Sequence, residues 1–118
     1  MARGYLSLLL HAHLPFVRHP EHETFLEERW LFEAITESYI PLLQVCERLQ
    51  QSGSSFRLTL SLSPTLLSML QDRLLQERYL RHLEELIGLA QQEAKRKHPD
   101  PRTLRLAEFY LQQFQEIR

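Results

Sequence analysis

Gly4-Tyr5-Leu6-Ser7-Leu8-Leu9-Leu10-His11-Ala12-His13-Leu14-Pro15-Phe16 is the stretch from which the rest of the chain is read. Residues 5–10 form a short, nearly continuous apolar run, the pattern of a strand buried on both faces of a parallel sheet. Pro15 has no N–H to give to a ladder, so residues 11–16 read as the end of that strand and its exit loop. In parallel α/β folds, functional groups gather where such loops leave the carboxyl ends of strands, and His11 and His13 stand there. Their i, i+2 spacing turns both imidazoles to one side, so they can address one ligand together. A neutral ring offers one donor and one acceptor, which suits sugar hydroxyls and also suits a metal. Spacing alone more often marks two loop histidines that make only local hydrogen bonds, and it is the place at a strand end that raises the functional reading.

Working outward, a polar loop continues to about Glu27. Over residues 28–51 the apolar positions Leu31, Ala34, Ile35, Tyr39, Leu42, Leu43, Cys46 and Leu49 recur every three or four residues, which predicts an amphipathic helix. Pro41 lacks a donor and clashes with the carbonyl four residues back, so a kink or break is expected near Tyr39 and Ile40. Ser52-Gly53-Ser54-Ser55 ends the helix. Residues 56–62 alternate strictly, with Phe56, Leu58, Leu60 and Leu62 on one face and Arg57, Thr59 and Ser61 on the other, which predicts a second strand. Ser63-Pro64 then starts a helix carrying Leu66, Leu67, Met69 and Leu70. A longer helix follows over residues 74–97, with Leu75, Tyr79, Leu83, Leu86, Ile87 and Ala90 as its apolar stripe and Lys95-Arg96-Lys97 at its negative dipole end. His98-Pro99-Asp100-Pro101 is a stop and a new start, with Asp100 as cap. Leu104, Ala107, Tyr110, Leu111, Phe114 and Ile117 make the last helix.

The sum is an α/β chain, one βαβ unit followed by helices. Two parallel strands leave two unprotected edges, so a part of a larger barrel or open sheet is expected, and the 118 residues read as one incomplete domain. The charge is nearly balanced, 14 Lys and Arg against 15 Asp and Glu, so neither nucleic acid nor an anionic membrane is an expected partner. Residues 5–10 are too short to span a membrane and run into histidines rather than a small-residue cleavage site, so no leader or anchor is expected. One cysteine, Cys46, is read as a core residue in a reducing, cytoplasmic setting.

Other candidate groups receive plainer readings. His19, Glu21, His22 and Glu23 are taken as solvated loop residues, since no regular element fixes them for a metal. Glu27, Glu28, Glu33 and Glu37 are taken as the polar face of the first long helix, although glycosidic chemistry does need a carboxylate pair. Trp30 is taken as an apolar anchor at the helix start before it is taken as a sugar-stacking platform.

Three separated segments carry a resemblance. Residues 4–18, Gly4-Tyr5-Leu6-Ser7-Leu8-Leu9-Leu10-His11-Ala12-His13-Leu14-Pro15-Phe16-Val17-Arg18, are similar to the opening strand and first signature motif of glycoside hydrolase family 57. Trp30-Leu31-Phe32-Glu33-Ala34-Ile35-Thr36-Glu37-Ser38-Tyr39-Ile40-Pro41-Leu42-Leu43 resembles the helix after that motif in the family's 1,4-α-glucan branching type, and Ser61-Leu62-Ser63-Pro64-Thr65-Leu66 resembles the second strand and its turn.

The resemblance implies a catalytic domain built as a seven-stranded (β/α) barrel. It also implies a retaining reaction on an α-glucan such as amylose or a glycogen-like polysaccharide, with no metal and no organic cofactor. It makes His11 and His13 substrate-binding residues beside the nucleophile. The family's nucleophilic glutamate and acid aspartate lie in later motifs that nothing before Arg118 resembles. No catalytic residue is therefore assigned in this chain, the remainder of the catalytic domain is its expected partner, and the chain alone is expected to be inactive.

Two alternatives stand beside it. A metal-dependent hydrolase of the amidohydrolase type also carries His-x-His after its first barrel strand. A helical interaction module would use the amphipathic faces for docking.

Overall fold

The computed structural model describes residues 3–97 and 100–118. The elements run β1 (Leu9–Ala12), α1 (Glu28–Ala34), a π-helical turn (Ile35–Tyr39), α2 (Ile40–Gln51), β2 (Thr59–Leu62), α3 (Pro64–Gln71), α4 (Arg73–Lys95) and α5 (Pro101–Ile117). They fall into two units, Met1–Asp72 and Arg73–Arg118. The stop expected at His98-Pro99 lies outside the described residues.

In the first unit β1 and β2 pair in parallel, with Leu9 opposite Thr59, Leu10 opposite Leu60, His11 opposite Ser61 and Ala12 opposite Leu62. The Thr59 N–H donates to the Leu8 carbonyl at 3.2 Å and the Ser63 N–H to the Ala12 carbonyl at 3.0 Å, closing the ladder at its two ends. This corrects the expected strand. Residues 3–8 belong to no element, Tyr5 is 99% exposed and Leu9 60%, while His11 and Ala12, expected in the exit loop, are paired. A strand extends only where a neighbour supplies the ladder, and β2, itself shorter than the expected 56–62, offers four residues. The apolar side chains of residues 5–9 thus lie uncovered.

The helix expected over residues 28–51 forms without a break, and Pro41 leaves its mark as the π-turn. The Ile40 N–H reaches the Ile35 carbonyl five residues back instead of the Thr36 carbonyl four back. One extra residue in the turn moves the carbonyls away from the proline ring, the usual way a helix accommodates an obstruction without stopping. At the far end of α2, Gly53 takes φ 73°. Its N–H donates to the Gln50 carbonyl, and the Ser54 N–H to the Leu49 carbonyl, each at 3.1 Å. This is the paired pattern that closes a helix through a left-handed residue. Ser63, extended at ψ 146°, caps α3 by accepting the Leu66 N–H at 3.3 Å, with Pro64 in the first turn.

Val17, Leu31, Phe32, Leu66 and Met69 are the buried apolar residues of this unit. The Val17 N–H points at the Met69 sulfur, 3.3 Å away. No residue of α2 is buried, and Cys46 is half-buried, so it is not the core residue expected.

In the second unit α4 and α5 pack as a helical hairpin, with Arg118 bound to Glu84 at 2.8 Å. Leu75, Leu83, Ile87 and Ala90 of the expected stripe are buried, and so is Arg78. Asp100 caps α5 by accepting the Arg102 N–H at 2.9 Å. Among the described residues no helix is long and apolar enough to cross a membrane.

Candidate functional site

The ends of β1 and β2 open into a cleft of about 550 Å³ in the first unit. Its strand side is formed by residues 10–13 and 60–62, and its helix side by Ile35, Ser38, Tyr39 and Ile40, with Leu42, Leu43 and Leu70 completing the wall. His11 and His13 both line it. Their rings lie 6.1 Å apart between centroids and within 9° of parallel, so the two imidazoles share one side as their spacing predicts. Nδ1 of His11 hydrogen-bonds Oγ of Ser61 across the strand pair at 3.1 Å. The helix side belongs to the π-turn, and partial burial pushes the Tyr39 phenol above its ordinary 10.0.

The segment after the histidines is tied down along its length. The Thr65 hydroxyl donates to the Leu14 carbonyl at 3.2 Å, and the Arg18 guanidinium pairs with the Asp72 carboxylate at 2.6 Å. His19 is the centre of the following loop, with Nδ1 3.1 Å from Glu21, Nε2 3.2 Å from Glu27 and its ring 3.8 Å from that of Phe25. A neutral imidazole carries a single N–H, so serving two carboxylates calls for the imidazolium. Consistently, the Glu21 hydrogen bond, with Glu27 adding to it, holds the His19 pKa above its ordinary 6.5, against a smaller opposing effect of desolvation. The Glu21 carboxyl is held below its ordinary 4.5, first by a backbone N–H and then by His19.

Residues 21–23 are exposed loop residues, as expected, and the His19 ring bridges two carboxylates beside them. Two expectations are corrected here. Glu28 is 1% exposed and accepts the His19 backbone N–H at 3.2 Å, so it is not on the polar face of its helix. Trp30 is 48% exposed, because α1 turns Leu31 and Phe32 inward instead, so it is not an apolar anchor.

The cleft is lined by imidazole, phenol and hydroxyl groups among aliphatic side chains, and none of its lining residues is acidic. Such groups donate to and accept from neutral hydroxylated ligands. Among the described residues no three His, Cys, Asp or Glu side chains are arranged to hold a metal ion. Ser38, Tyr39 and Ser61 escaped the search for candidates in the sequence. The signal for the first two was Pro41, whose effect on the helix falls where it faces the cleft.

Residues 7–118 match the family described as glycosyl hydrolase family 57. The chain belongs to this family.

A relative among curated proteins is a 1,4-alpha-glucan branching enzyme of Thermococcus kodakarensis, 38% identical over 93 residues, which cover 79% of this chain and 14% of that protein. A probable 1,4-alpha-glucan branching enzyme of Mycobacterium tuberculosis is 35% identical over 69 residues, covering 58% of this chain and 13% of its own length. Two crystal structures superpose on 98% of this chain and 22% of their own, each with a TM-score of 0.87. One is the alpha-amylase AmyC of Thermotoga maritima, at 50% identity, and the other a branching enzyme of the same family from Pyrococcus horikoshii, at 33%. The chain thus spans between an eighth and a quarter of the proteins it matches. The part of family 57 present here is a mixed α/β segment that includes His11 and His13, and nothing in the match supports the metal-hydrolase alternative.

Proposed function

We propose that the chain belongs to the catalytic domain of an α-glucan-active family 57 enzyme of the 1,4-α-glucan branching type. In this reading β1 and β2 are the first strands of the family's (β/α) barrel, and His11 and His13 bind a glucose unit of the donor chain. The observation that carries it is the cofacial histidine pair at the strand ends of a chain that belongs to this family. Two parallel rings 6.1 Å apart present their edges to neighbouring hydroxyls of one sugar, and the Tyr39 phenol and Ser38 hydroxyl supply further polar groups on the opposite wall. The uncovered leucines of β1 and β2 are what a two-strand piece of a larger sheet would show.

Retention of anomeric configuration needs a carboxylate nucleophile and a carboxylic acid on the two sides of the glycosidic bond. The cleft walls offer neither, so this chain's residues hold and orient the sugar while the reacting carboxylates come from the rest of the enzyme. In branching, a glucan 6-hydroxyl then takes the glycosyl group in place of water.

Product analysis on amylose with the enzyme that carries this chain tests the reading. New α-1,6 linkages, lost in His11→Ala and His13→Ala, are expected. A second reading, hydrolysis, is favoured by the 50% identity to an alpha-amylase, and reducing ends released without new branches would select it. No reaction on α-glucan at all would overturn both.

A further inference from the structure

We infer that Ser61 is the positioning residue of His11, holding its ring through Nδ1 so that Nε2 is left for the glucan; this rests on reading the cleft as a glucan site. Ser61 is placed by register. The parallel pairing sets it directly opposite His11, and alternation puts its side chain on the face away from Leu60 and Leu62.

The resulting bond, Oγ to Nδ1 at 3.1 Å, occupies one of the two ring nitrogens. The bond favours the rotation about the histidine's Cβ–Cγ bond that keeps its ring within 9° of that of His13. Serine can donate to Nδ1, leaving an Nε2–H for a sugar oxygen, or accept from it, leaving a bare Nε2 for a sugar hydroxyl. Either way Nδ1 is engaged by the hydroxyl and Nε2 is the nitrogen left for a ligand in the cleft that His11 lines. His13 has no such hydrogen bond among the described residues. The pair is therefore asymmetric, with one fixed ring and one that adapts to the bound sugar. Preorganising one partner in this way lowers the ordering cost of binding.

The experiment is two-bond ¹H–¹⁵N spectroscopy of the histidine rings in the wild-type protein, Ser61→Ala and Ser61→Thr, with maltoheptaose affinity measured on each. Threonine keeps the hydroxyl and suits a strand. In the wild type the Nδ1 signal of His11 is expected to carry the shift of a hydrogen-bonded ring nitrogen. In Ser61→Ala that shift is lost while the His13 signals hold, and Ser61→Thr restores the wild-type pattern. Affinity for maltoheptaose falls roughly three- to tenfold in Ser61→Ala, the effect of one ordinary hydrogen bond, and recovers in Ser61→Thr. A His11 spectrum that is the same in wild type and Ser61→Ala would overturn the inference. So would equal disturbance by alanine and threonine, which would mark a packing effect. Should the wild type bind no maltoheptaose, the glucan reading fails, while the Nδ1 comparison still decides whether Ser61 holds His11.

Discussion

Truncating Leu66 to alanine tests the phase of α3, and with it the placement of the β2–α3 corner beside the cleft. Leu66 is 0% exposed, whereas Leu67, the next residue, is 41% exposed. Leu66→Ala removes three carbons from the interior, worth about 2.4 kcal/mol at roughly 0.8 kcal/mol each. Incomplete collapse around the vacated space raises the total to about 3–4 kcal/mol. Leu67→Ala removes the same atoms from a position already half in water and is expected to cost at most about 1 kcal/mol. For a chain of this size the Leu66 loss lowers the thermal midpoint by about 10–20 °C. Urea unfolding followed by far-UV circular dichroism reads both variants. Equal losses, or a larger loss at Leu67, would rotate α3 by one residue. The Ser63 cap on the Leu66 N–H would then be wrong as well.

Two further outcomes follow from the loops. His19 has a raised pKa, so the stability it contributes through Glu21 and Glu27 is full below pH 6.5 and lost as pH rises through the higher folded value. Glu21 has a lowered pKa, so its share is present above pH 4.5 and lost as pH falls through the lower folded value. The gap in unfolding midpoint between wild type and His19→Gln is therefore widest between about pH 4.5 and 6.5 and narrows on both sides; a gap that grows above pH 7 would contradict the paired imidazolium. At Gly53 an added Cβ meets nothing within 4 Å, so Gly53→Ala costs only the strain of φ 73°, about 1 kcal/mol. Gly53→Asn, which tolerates this backbone better, is expected to lose less in the same urea titration.

The sequence carries the elements more fully than their limits or their partners. Pro41 announces an irregular helix, but whether the chain breaks, kinks or widens depends on which carbonyl the Ile40 N–H finds, and it finds Ile35. The helix caps at Ser63 and Asp100 and the closing glycine at Gly53 are local, and each forms as its residues indicate. The extent of β1 is not local, because the ladder is only as long as the neighbouring strand, and residues 5–8 look like strand without one. In the site, the shared side of His11 and His13 follows from their spacing. Ser61 could not be paired with His11 without the register, which joins residues fifty positions apart. Glu28 misled for a similar reason, since its acceptor role is created by a backbone N–H that the loop from β1 brings to it.

The most direct test of the central claim is a search for intermolecular nuclear Overhauser effects between maltoheptaose and the histidine ring protons of the protein. Contacts from His11 and His13 to glucose protons, with none from His22, are the predicted result. Saturating maltoheptaose without a contact at either ring of the pair would contradict the account.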